Sequence, residues 1–286
     1  MFEFDVESFD FRKYSNRQLI CIPLTLMLLS VLILSGWYFF TGSPVNPGIE
    51  FTGGAELLLI SDNGIEPVRT TFGSSSHSIR SIVTRENAYI VNFQTSITNP
   101  EQLESMATDS GFEVLSVQST SPSFGAETQK LALIGLAAAF IGMAAVVFIL
   151  FRKVVPSVAV VLSALGDILV PLAIMNLLGI QLSLGTLAAL LMLIGYSVDS
   201  DILLTNHILK RKGNFYDSVY RAMKTGLTMT LTSFSAIMVM TIAAFLFGVD
   251  LLTSIGIVLI FGLIVDIINT YLLNVSLLRW YVGGKQ

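Results

Sequence analysis

Four aspartates lie in strongly apolar stretches of this 286-residue chain: Asp167, Asp199, Asp201 and Asp266. None of these stretches contains a Lys or an Arg. A carboxylate near the centre of a bilayer costs roughly 2.5–3.5 kcal/mol on insertion scales, so such residues usually mark an ion pathway or a buried contact between helices. The sequence therefore favours a transporter or translocation motor over a passive anchor.

Uncharged polar side chains that could satisfy buried carboxyls or line a water-filled crevice are found in the apolar stretches: Ser197, Ser200, Thr205, Thr228, Thr230, Thr232, Ser233, Ser235, Asn269, Thr270 and Asn274. The polar side chains best placed to support the carboxyls are Tyr196, Ser197, Asn269 and Thr270. Because no basic residue is available locally, at least one carboxyl is expected to be neutral at pH 7, unless a bound cation or a partner subunit supplies positive charge. All four aspartates are thus candidates for an ion or proton relay. The alternative is that they only hold helices together through hydrogen bonds.

The spacing of Asp199 and Asp201 limits which carboxyls can share one cavity. Two residues correspond to about 200° around a helix, so these side chains should point to opposite faces. Positions relative to the span midpoints predict that Asp167, Asp199 and Asp266 share one layer of the bundle. Asp201 lies nearer the cytoplasmic end of its span, where water could hydrate its carboxylate.

The composition is that of an integral membrane protein. Charged residues make up 13% of the chain and apolar residues 53%, whereas a soluble domain carries about 25% charged residues. The net charge of −4 is small, and no basic stripe suited to nucleic acid is found. Apolar runs predict six transmembrane helices, at residues 19–40, 130–151, 154–178, 182–206, 222–247 and 251–278.

Basic residues that flank the spans fall on the side of the N-terminus. They are Arg12, Lys13 and Arg17 before the first span, and the clusters at 152–153 and 210–212. The positive-inside rule then places both termini in the cytoplasm. The expected location is the cell membrane, with a cytoplasmic N-terminus and tail at residues 1–18 and 279–286.

Residues 46–127 differ in character from the spans. They are polar and contain short runs with β-type alternation, followed by a helix that begins near Pro100. These patterns predict a small extracytoplasmic α+β domain, of ferredoxin-like type, inserted between the first two transmembrane helices. The predicted strands are 55–61, 88–94 and 112–118, and the five later helices form a second membrane region, 130–278.

An enzymatic role has little support in the sequence. Gly166-Asp167 approaches the Gly-x-Gly-Asp of intramembrane aspartyl proteases, but their companion motifs do not occur in membrane spans here. No phosphate-binding loop or cluster of metal ligands is found either. The chain is therefore expected not to be an enzyme and to need no cofactor or metal.

Three motifs carry a resemblance to a known family. Residues 48–54 read Gly-Ile-Glu-Phe-Thr-Gly-Gly, residues 121–127 read Ser-Pro-Ser-Phe-Gly-Ala-Glu, and residues 196–201 read Tyr-Ser-Val-Asp-Ser-Asp. In these motifs and their order the chain resembles the SecF family of the RND superfamily, in an archaeal-like variant. Within the first motif, the residues expected to position the external domain are Gly48, Phe51, Gly53 and Gly54.

The resemblance implies a function and partners. It implies an accessory complex with a SecD-like subunit, which promotes passage of a polypeptide substrate through the Sec translocon at the expense of the proton motive force. Membrane lipid is the other implied partner, and nucleic acid is not. One departure matters, because Met229 stands where the family carries an Arg, which leaves the family's carboxylate–arginine relay open. The alternatives are half of an RND-type exporter of lipids or small molecules, and an assembly factor that does not transport.

Overall fold

The chain folds into long helices and one small antiparallel sheet, seen in a computed structural model. Residues 11–74, 76, 78–81, 87–93, 100–210 and 214–283 are described. Five of the predicted segments lie partly outside the described residues: 1–18, 46–127, 88–94, 210–212 and 279–286.

Six helices among the described residues are long and apolar enough to cross a membrane, which confirms the predicted number of spans. In the numbering given next, they are α1, α5, α6, α7, α8 and the continuous helix from α9 to α10. The helices are α1 (Asn16–Thr41), α2 (Ile49–Thr52), α3 (Ile65–Phe72), α4 (Pro100–Asp109), α5 (Pro122–Phe151), α6 (Val154–Leu178), α7 (Leu184–Lys210), α8 (Phe215–Leu246), α9 (Asp250–Ile268) and α10 (Val275–Gly283), with a π-helical turn (Asn269–Asn274) that joins the last two.

Two of the long helices begin earlier than their apolar runs. α5 begins at Pro122 because Ser121 caps it, with its Oγ accepting a hydrogen bond from the Phe124 amide at 3.3 Å. Asn214 caps α8 in the same way. A polar cap beyond the apolar run lets each helix continue past the hydrocarbon, so hydropathy alone placed both starts too late.

The sheet lies in the chain between α1 and α5. Its strands are β1 (Gly54–Ile60), β2 (Ser78–Ser81), β3 (Ala88–Phe93) and β4 (Glu113–Thr120), in the order β2-β3-β1-β4 and all antiparallel. α3 joins β1 to β2 and α4 joins β3 to β4. This connectivity is the split β-α-β arrangement of ferredoxin-like folds. β2 and α3 were not predicted from the sequence, because β2 is only four residues long and α3 lies in a polar stretch.

One face of the sheet packs on its two helices. Leu57 and Leu59 on β1 alternate with less buried neighbours, as Val91 and Phe93 do on β3. They meet Phe72 and the buried side of α4 in a single apolar core. The opposite face of β1 therefore points away from that core.

Two glycines bring the second membrane helix, α5, against the short helix α2 that precedes the sheet. A Cβ added at Gly125 would stand 2.6 Å from the backbone nitrogen of Gly53. Gly53 itself has a φ of +71° and lies against the backbone of Pro122. Two of the three motifs that carry the family resemblance, residues 48–54 and 121–127, thus contribute backbone to one close contact, with Phe51 buried beside it.

A short hydrogen-bonded linker, Pro44–Gly48, joins α1 and the sheet to the turn between α6 and α7. The Asn176 side chain at the end of α6 donates to the Pro44 carbonyl at 2.8 Å and accepts from the Asn46 amide at 3.2 Å. Leu182 then donates to the Asn46 carbonyl at 2.7 Å and accepts from the Gly48 amide at 2.8 Å. The sheet-bearing segment is therefore fixed to both α6 and α7.

Candidate functional site

Three of the four aspartates meet inside the helix bundle. Asp167 on α6, Asp201 on α7 and Asp266 on α9 are each at most 1% exposed. No basic side chain among the described residues forms an ion pair with any of them. Below, these three residues are called the acidic cluster. Hydroxyl and amide side chains are the groups that contact it.

Asp167 is held from two sides. The Ser197 hydroxyl of α7 donates to its Oδ2, and Nδ2 of Asn269 donates to its Oδ1 at 2.7 Å. Gly166 makes room for that amide, since a Cβ added there would stand 2.7 Å from Nδ2 of Asn269. Asp167 therefore links α6 to both α7 and the π-helical turn.

Asp201 and Asp266 share donors. Thr270 Oγ1 lies 2.8 Å from Asp201 Oδ1 and 3.3 Å from Asp266 Oδ1. Asn274 also donates to Asp201 Oδ1, at 2.9 Å, and Ser200 Oγ lies 3.1 Å from Asp266 Oδ1. Because a hydroxyl carries one proton, Thr270 can serve only one of its two carboxylates at a time. The network accordingly has more than one possible arrangement of protons.

The π-helical turn supplies most of these donors. Asn269, Thr270 and Asn274 are all at most 1% exposed and face the cluster. A π turn widens the helix locally and is often found at functional sites. It begins three residues after Asp266, so four polar side chains from nine residues of this continuous helix surround one small region.

Several acceptors in this region have no donor among the described residues. They are Oδ2 of Asp201 and the Oδ1 atoms of Asn269 and Asn274. A buried acceptor without a donor is unfavourable. Oδ2 of Asp201 is therefore an atom at which the cluster can take up a proton without losing a hydrogen bond. No group of three or more His, Cys, Asp or Glu in the described parts of the chain is arranged to hold a metal ion.

Asp199 and Tyr196 lie on the outer face of α7, away from the cluster. Both are exposed, whereas Ser197 and Asp201 are fully buried. The opposite orientation of Asp199 and Asp201 is as predicted, but the assignment of faces was wrong. Asp201 joins Asp167 and Asp266, and Asp199 does not. The depth of a residue along the helix does not tell which of the two aspartates faces the cluster, because the rotation of α7 about its axis is fixed by its packing against α6 and α9.

Ser200 and Asn274 complete the network; the sequence indicated both only as members of the larger set of polar side chains in these spans and did not single them out. Asp266, Thr270 and Asn274 recur every four residues, a spacing that puts side chains on one side of a helix and could have indicated the last of them. Ser200 gave no comparable signal. On α8, by contrast, hydroxyl groups bond to carbonyls of their own helix and take no part in the cluster, as at Thr228, Thr232 and Ser235.

A second polar region lies between the sheet and the ends of the membrane helices. A cavity of about 210 Å³ is lined there by Glu50, Glu56, Arg80 and Gln181, among others. Burial, reinforced by the nearby Glu50 charge, raises the pKa of Glu56 to about 7, while the Gln181 hydrogen bond and the Arg80 charge oppose the rise. Burial also lowers the pKa of Arg80. The free face of β1 thus presents a carboxyl that titrates near neutral pH.

Known proteins similar to this chain are protein-export membrane proteins. A family model described as protein export membrane protein SecD/SecF, C-terminal, matches residues 101–284. The protein-export membrane protein SecF of Haloferax volcanii is 56% identical over 281 residues, which cover 98% of each chain. The SecF of Methanolacinia petrolearia is 40% identical and covers 97% of this chain and 99% of its own.

A solved structure has the same fold. It is SecDF of Thermus thermophilus, a translocon-associated membrane protein, and it matches with a TM-score of 0.77 at 20% identity. The match covers 98% of this chain but 40% of the solved chain. This chain therefore spans less than half the length of that protein.

Proposed function

The chain belongs to the SecD/SecF family of protein-export membrane proteins, and from this premise we propose that it is a SecF-like subunit that couples proton flow to polypeptide export. The observation that carries the coupling is the acidic cluster. Three carboxyls from three membrane helices meet with hydroxyl and amide partners and no basic partner among the described residues. The proposed role is mechanical transport without covalent chemistry, so no catalytic residue is assigned.

The proposed arrangement follows from the charges at the span ends. Both termini lie in the cytoplasm and residues 46–127 lie outside the cell membrane, since basic residues flank the spans on the N-terminal side. A SecD-like subunit completes the transporter, and the complex acts beside the Sec translocon on an emerging polypeptide. Lipid surrounds the exposed apolar faces of α1, α5 and α8.

Protonation changes the forces within the cluster. Carboxylates in a poorly hydrated site repel one another, and that repulsion falls when one takes up a proton. Thr270 is then free to turn its single hydroxyl proton from Asp201 to Asp266, because both acceptors are within 3.3 Å. The spacing of α6, α7 and α9 is set by these contacts. Proton uptake and release would therefore alter how the three helices pack.

The linker Pro44–Gly48 offers a route from the cluster to the outer domain. Asp167 and Asn176 both lie on α6, and Leu182 lies two residues before the start of α7. A shift of α6 against α7 displaces the groups that hold this linker. The domain would move in response, as retention or pulling of an emerging polypeptide requires.

The test is the dependence of export on the proton motive force. A strain that lacks its own copy is complemented with the wild-type chain or with Asp167→Asn, and secretion of a signal-peptide reporter is followed as an uncoupler is titrated. The wild type should respond in a graded way. The variant should export at a low rate that the uncoupler no longer changes. Full, uncoupler-sensitive export by the variant would show that Asp167 carries no coupled proton.

A further inference from the structure

A groove lies on the surface of the helix bundle where the first turns of α1 pass beside α10. Its volume is about 680 Å³, within the roughly 300–1,000 Å³ of pockets that hold a small organic ligand. Residues of both helices line it, among them Arg17, Ile20, Cys21, Leu24, Leu277 and Trp280. The groove is therefore apolar along most of its wall and has a basic side chain near one end.

The two ends of this groove differ in charge. Arg17 is exposed, and its guanidinium forms no hydrogen bond or ion pair with any residue that the structure describes. Trp280, on the opposite wall, is 63% exposed, and a tryptophan together with a basic residue is typical of the membrane–water interface. Leu24 lies seven residues farther along α1, about 10 Å toward the interior of the membrane. The groove thus joins an unpaired positive charge to an apolar path that enters the hydrocarbon.

We propose that this groove, named here the α1–α10 groove, is a binding site for one anionic phospholipid. The lipid phosphate lies against Arg17, and an acyl chain follows Ile20 and Leu24. Charge complementarity selects the headgroup, because a guanidinium offers a planar set of donors that matches phosphate oxygens. Only the choice of leaflet rests on the proposed function, which puts this end of α1 in the cytoplasm, where the membrane surface carries anionic lipid.

Three other occupants compete for the α1–α10 groove. A zwitterionic phospholipid brings its own cation to its phosphate, so it gains less from Arg17. A membrane helix of a partner subunit would cover the apolar wall and leave Arg17 without an anion, unless that helix also carried a carboxylate. Residues 1–10 of this chain carry four acidic side chains, which are unfavourable along a wall that enters the hydrocarbon. An anionic lipid supplies both the charge and the apolar chain without these penalties.

Fluorescence quenching by brominated lipid tests the groove directly, because the chain has two tryptophans, Trp37 and Trp280. Trp37→Phe leaves Trp280 as the fluorophore, and the purified full chain is reconstituted in phosphatidylcholine vesicles that contain either brominated phosphatidylglycerol or brominated phosphatidylcholine. We expect the anionic lipid to bind about fivefold more tightly at Trp280, the effect of one basic residue near an anionic surface. Equal quenching of Trp280 by the two lipids would overturn the site.

Trp280→Phe is the matched control for this measurement. It leaves Trp37, which lies about 30 Å along α1 from Arg17. The two brominated lipids should therefore quench Trp37 equally. A preference of the same size at Trp37 would show a general attraction of anionic lipid to the protein and would refute a site at the groove.

Charge variants in the Trp37→Phe background test the role of Arg17. Arg17→Gln should reduce the preference for the anionic lipid to about one- to twofold. Lys153→Gln removes an exposed cation between α5 and α6, outside the groove, and should leave the preference unchanged. A full preference in Arg17→Gln would refute the pairing of this arginine with phosphate.

The acidic residues of segment 1–10 are tested in the same assay. Their replacement by Asn and Gln should leave the lipid preference unaltered. A preference that appears only after this replacement would assign the groove to that segment and overturn the lipid site. These measurements require neither export nor a partner subunit, so their failure leaves the proposed function standing. Conversely, full uncoupler-sensitive export by Asp167→Asn would count against the proposed coupling and leave the lipid site intact.

Discussion

Asp201→Asn removes an ionisable group from the acidic cluster while keeping the size and shape of the side chain. The remaining amide oxygen can still accept from Thr270 and Asn274, which lie 2.8 and 2.9 Å from Asp201 Oδ1. The new NH₂ group takes the place of Oδ2, an atom that has no hydrogen-bond partner among the described residues. Packing is thereby preserved, and only the capacity to bind and release a proton is lost.

The size of the effect can be worked out by comparison with Asp201→Ala. The alanine variant removes the two buried hydrogen bonds that Thr270 and Asn274 donate to Asp201, and each polar contact between membrane helices is worth about 0.6 kcal/mol on average and up to about 1.7. Asp201→Ala should therefore lose about 1–3 kcal/mol of stability, whereas Asp201→Asn should lose less than about 1 kcal/mol. Export should nevertheless fall in both variants to the level of a strain without the protein.

The assay is secretion of a reporter in a complemented deletion strain, with membrane content and thermal stability in detergent measured in parallel. Thr205→Val is the matched control. Thr205 lies one turn from Asp201 on α7, is fully buried, and its hydroxyl has no described partner. The control should export normally. Normal export by Asp201→Asn at wild-type membrane levels would refute a proton-carrying role for this carboxyl.

Three further predictions concern the sheet-bearing segment and its attachment. Asn176→Ala removes both side-chain hydrogen bonds to the Pro44–Gly48 linker, so amide exchange in that linker should accelerate at least tenfold, the effect of about 1.4 kcal/mol, by hydrogen-exchange mass spectrometry. Gly125→Ala forces a Cβ against the Gly53 backbone and should cost about 1–3 kcal/mol, read as a lower thermal midpoint in detergent. The folded chain keeps the Glu56 proton up to about pH 7, whereas the unfolded chain releases it near 4.5. Stability should therefore fall as pH rises from about 4.5 to 7, and Glu56→Gln should remove on the order of 2–3 kcal/mol of that fall.

Each of these has a control nearby. Leu177→Ala changes an exposed neighbour of Asn176 and should leave exchange in the linker unaltered. Gly142→Ala lies on the same helix as Gly125, with no described atom within 4 Å of the added Cβ, and should be neutral or slightly stabilising. An unchanged melting midpoint in Gly125→Ala would argue against the close contact. A pH profile for Glu56→Gln that parallels the wild type would show that Glu56 is not the titrating group.

The features that the sequence predicts well are those that depend on local chemistry. Six apolar runs identify six helices because spanning hydrocarbon demands length and apolarity. The strands 55–61 and 112–118 each lie within one or two residues of β1 and β4, since alternation along a half-buried strand is visible in the chain. The short β2 escaped notice because its four residues are stabilised mainly by pairing with β3.

The sequence predicted that carboxyls would meet inside the bundle, but it identified only some of the residues that form the acidic cluster. Asp167, Asp266, Ser197, Asn269 and Thr270 do meet, as the coincidence of polar residues in apolar spans suggested. The choice between Asp199 and Asp201 was wrong, and the π-helical turn left no readable signal.

The amino-acid sequence was enough to identify six membrane spans and a small α+β insertion. It also indicated that the carboxyls in the spans have a role, because burying a carboxylate in a membrane is unfavourable. Those conclusions depend on hydrophobicity, charge and backbone periodicity, which are properties of neighbouring residues. Only the tertiary structure decided that Asp201 turns inward and Asp199 outward. Rotation of a helix about its own axis is fixed by contacts with helices 30 to 70 residues away in the chain, such as Ser197 to Asp167 and Ser200 to Asp266. No local pattern encodes that rotation, because both faces of α7 carry an aspartate and either could have been buried.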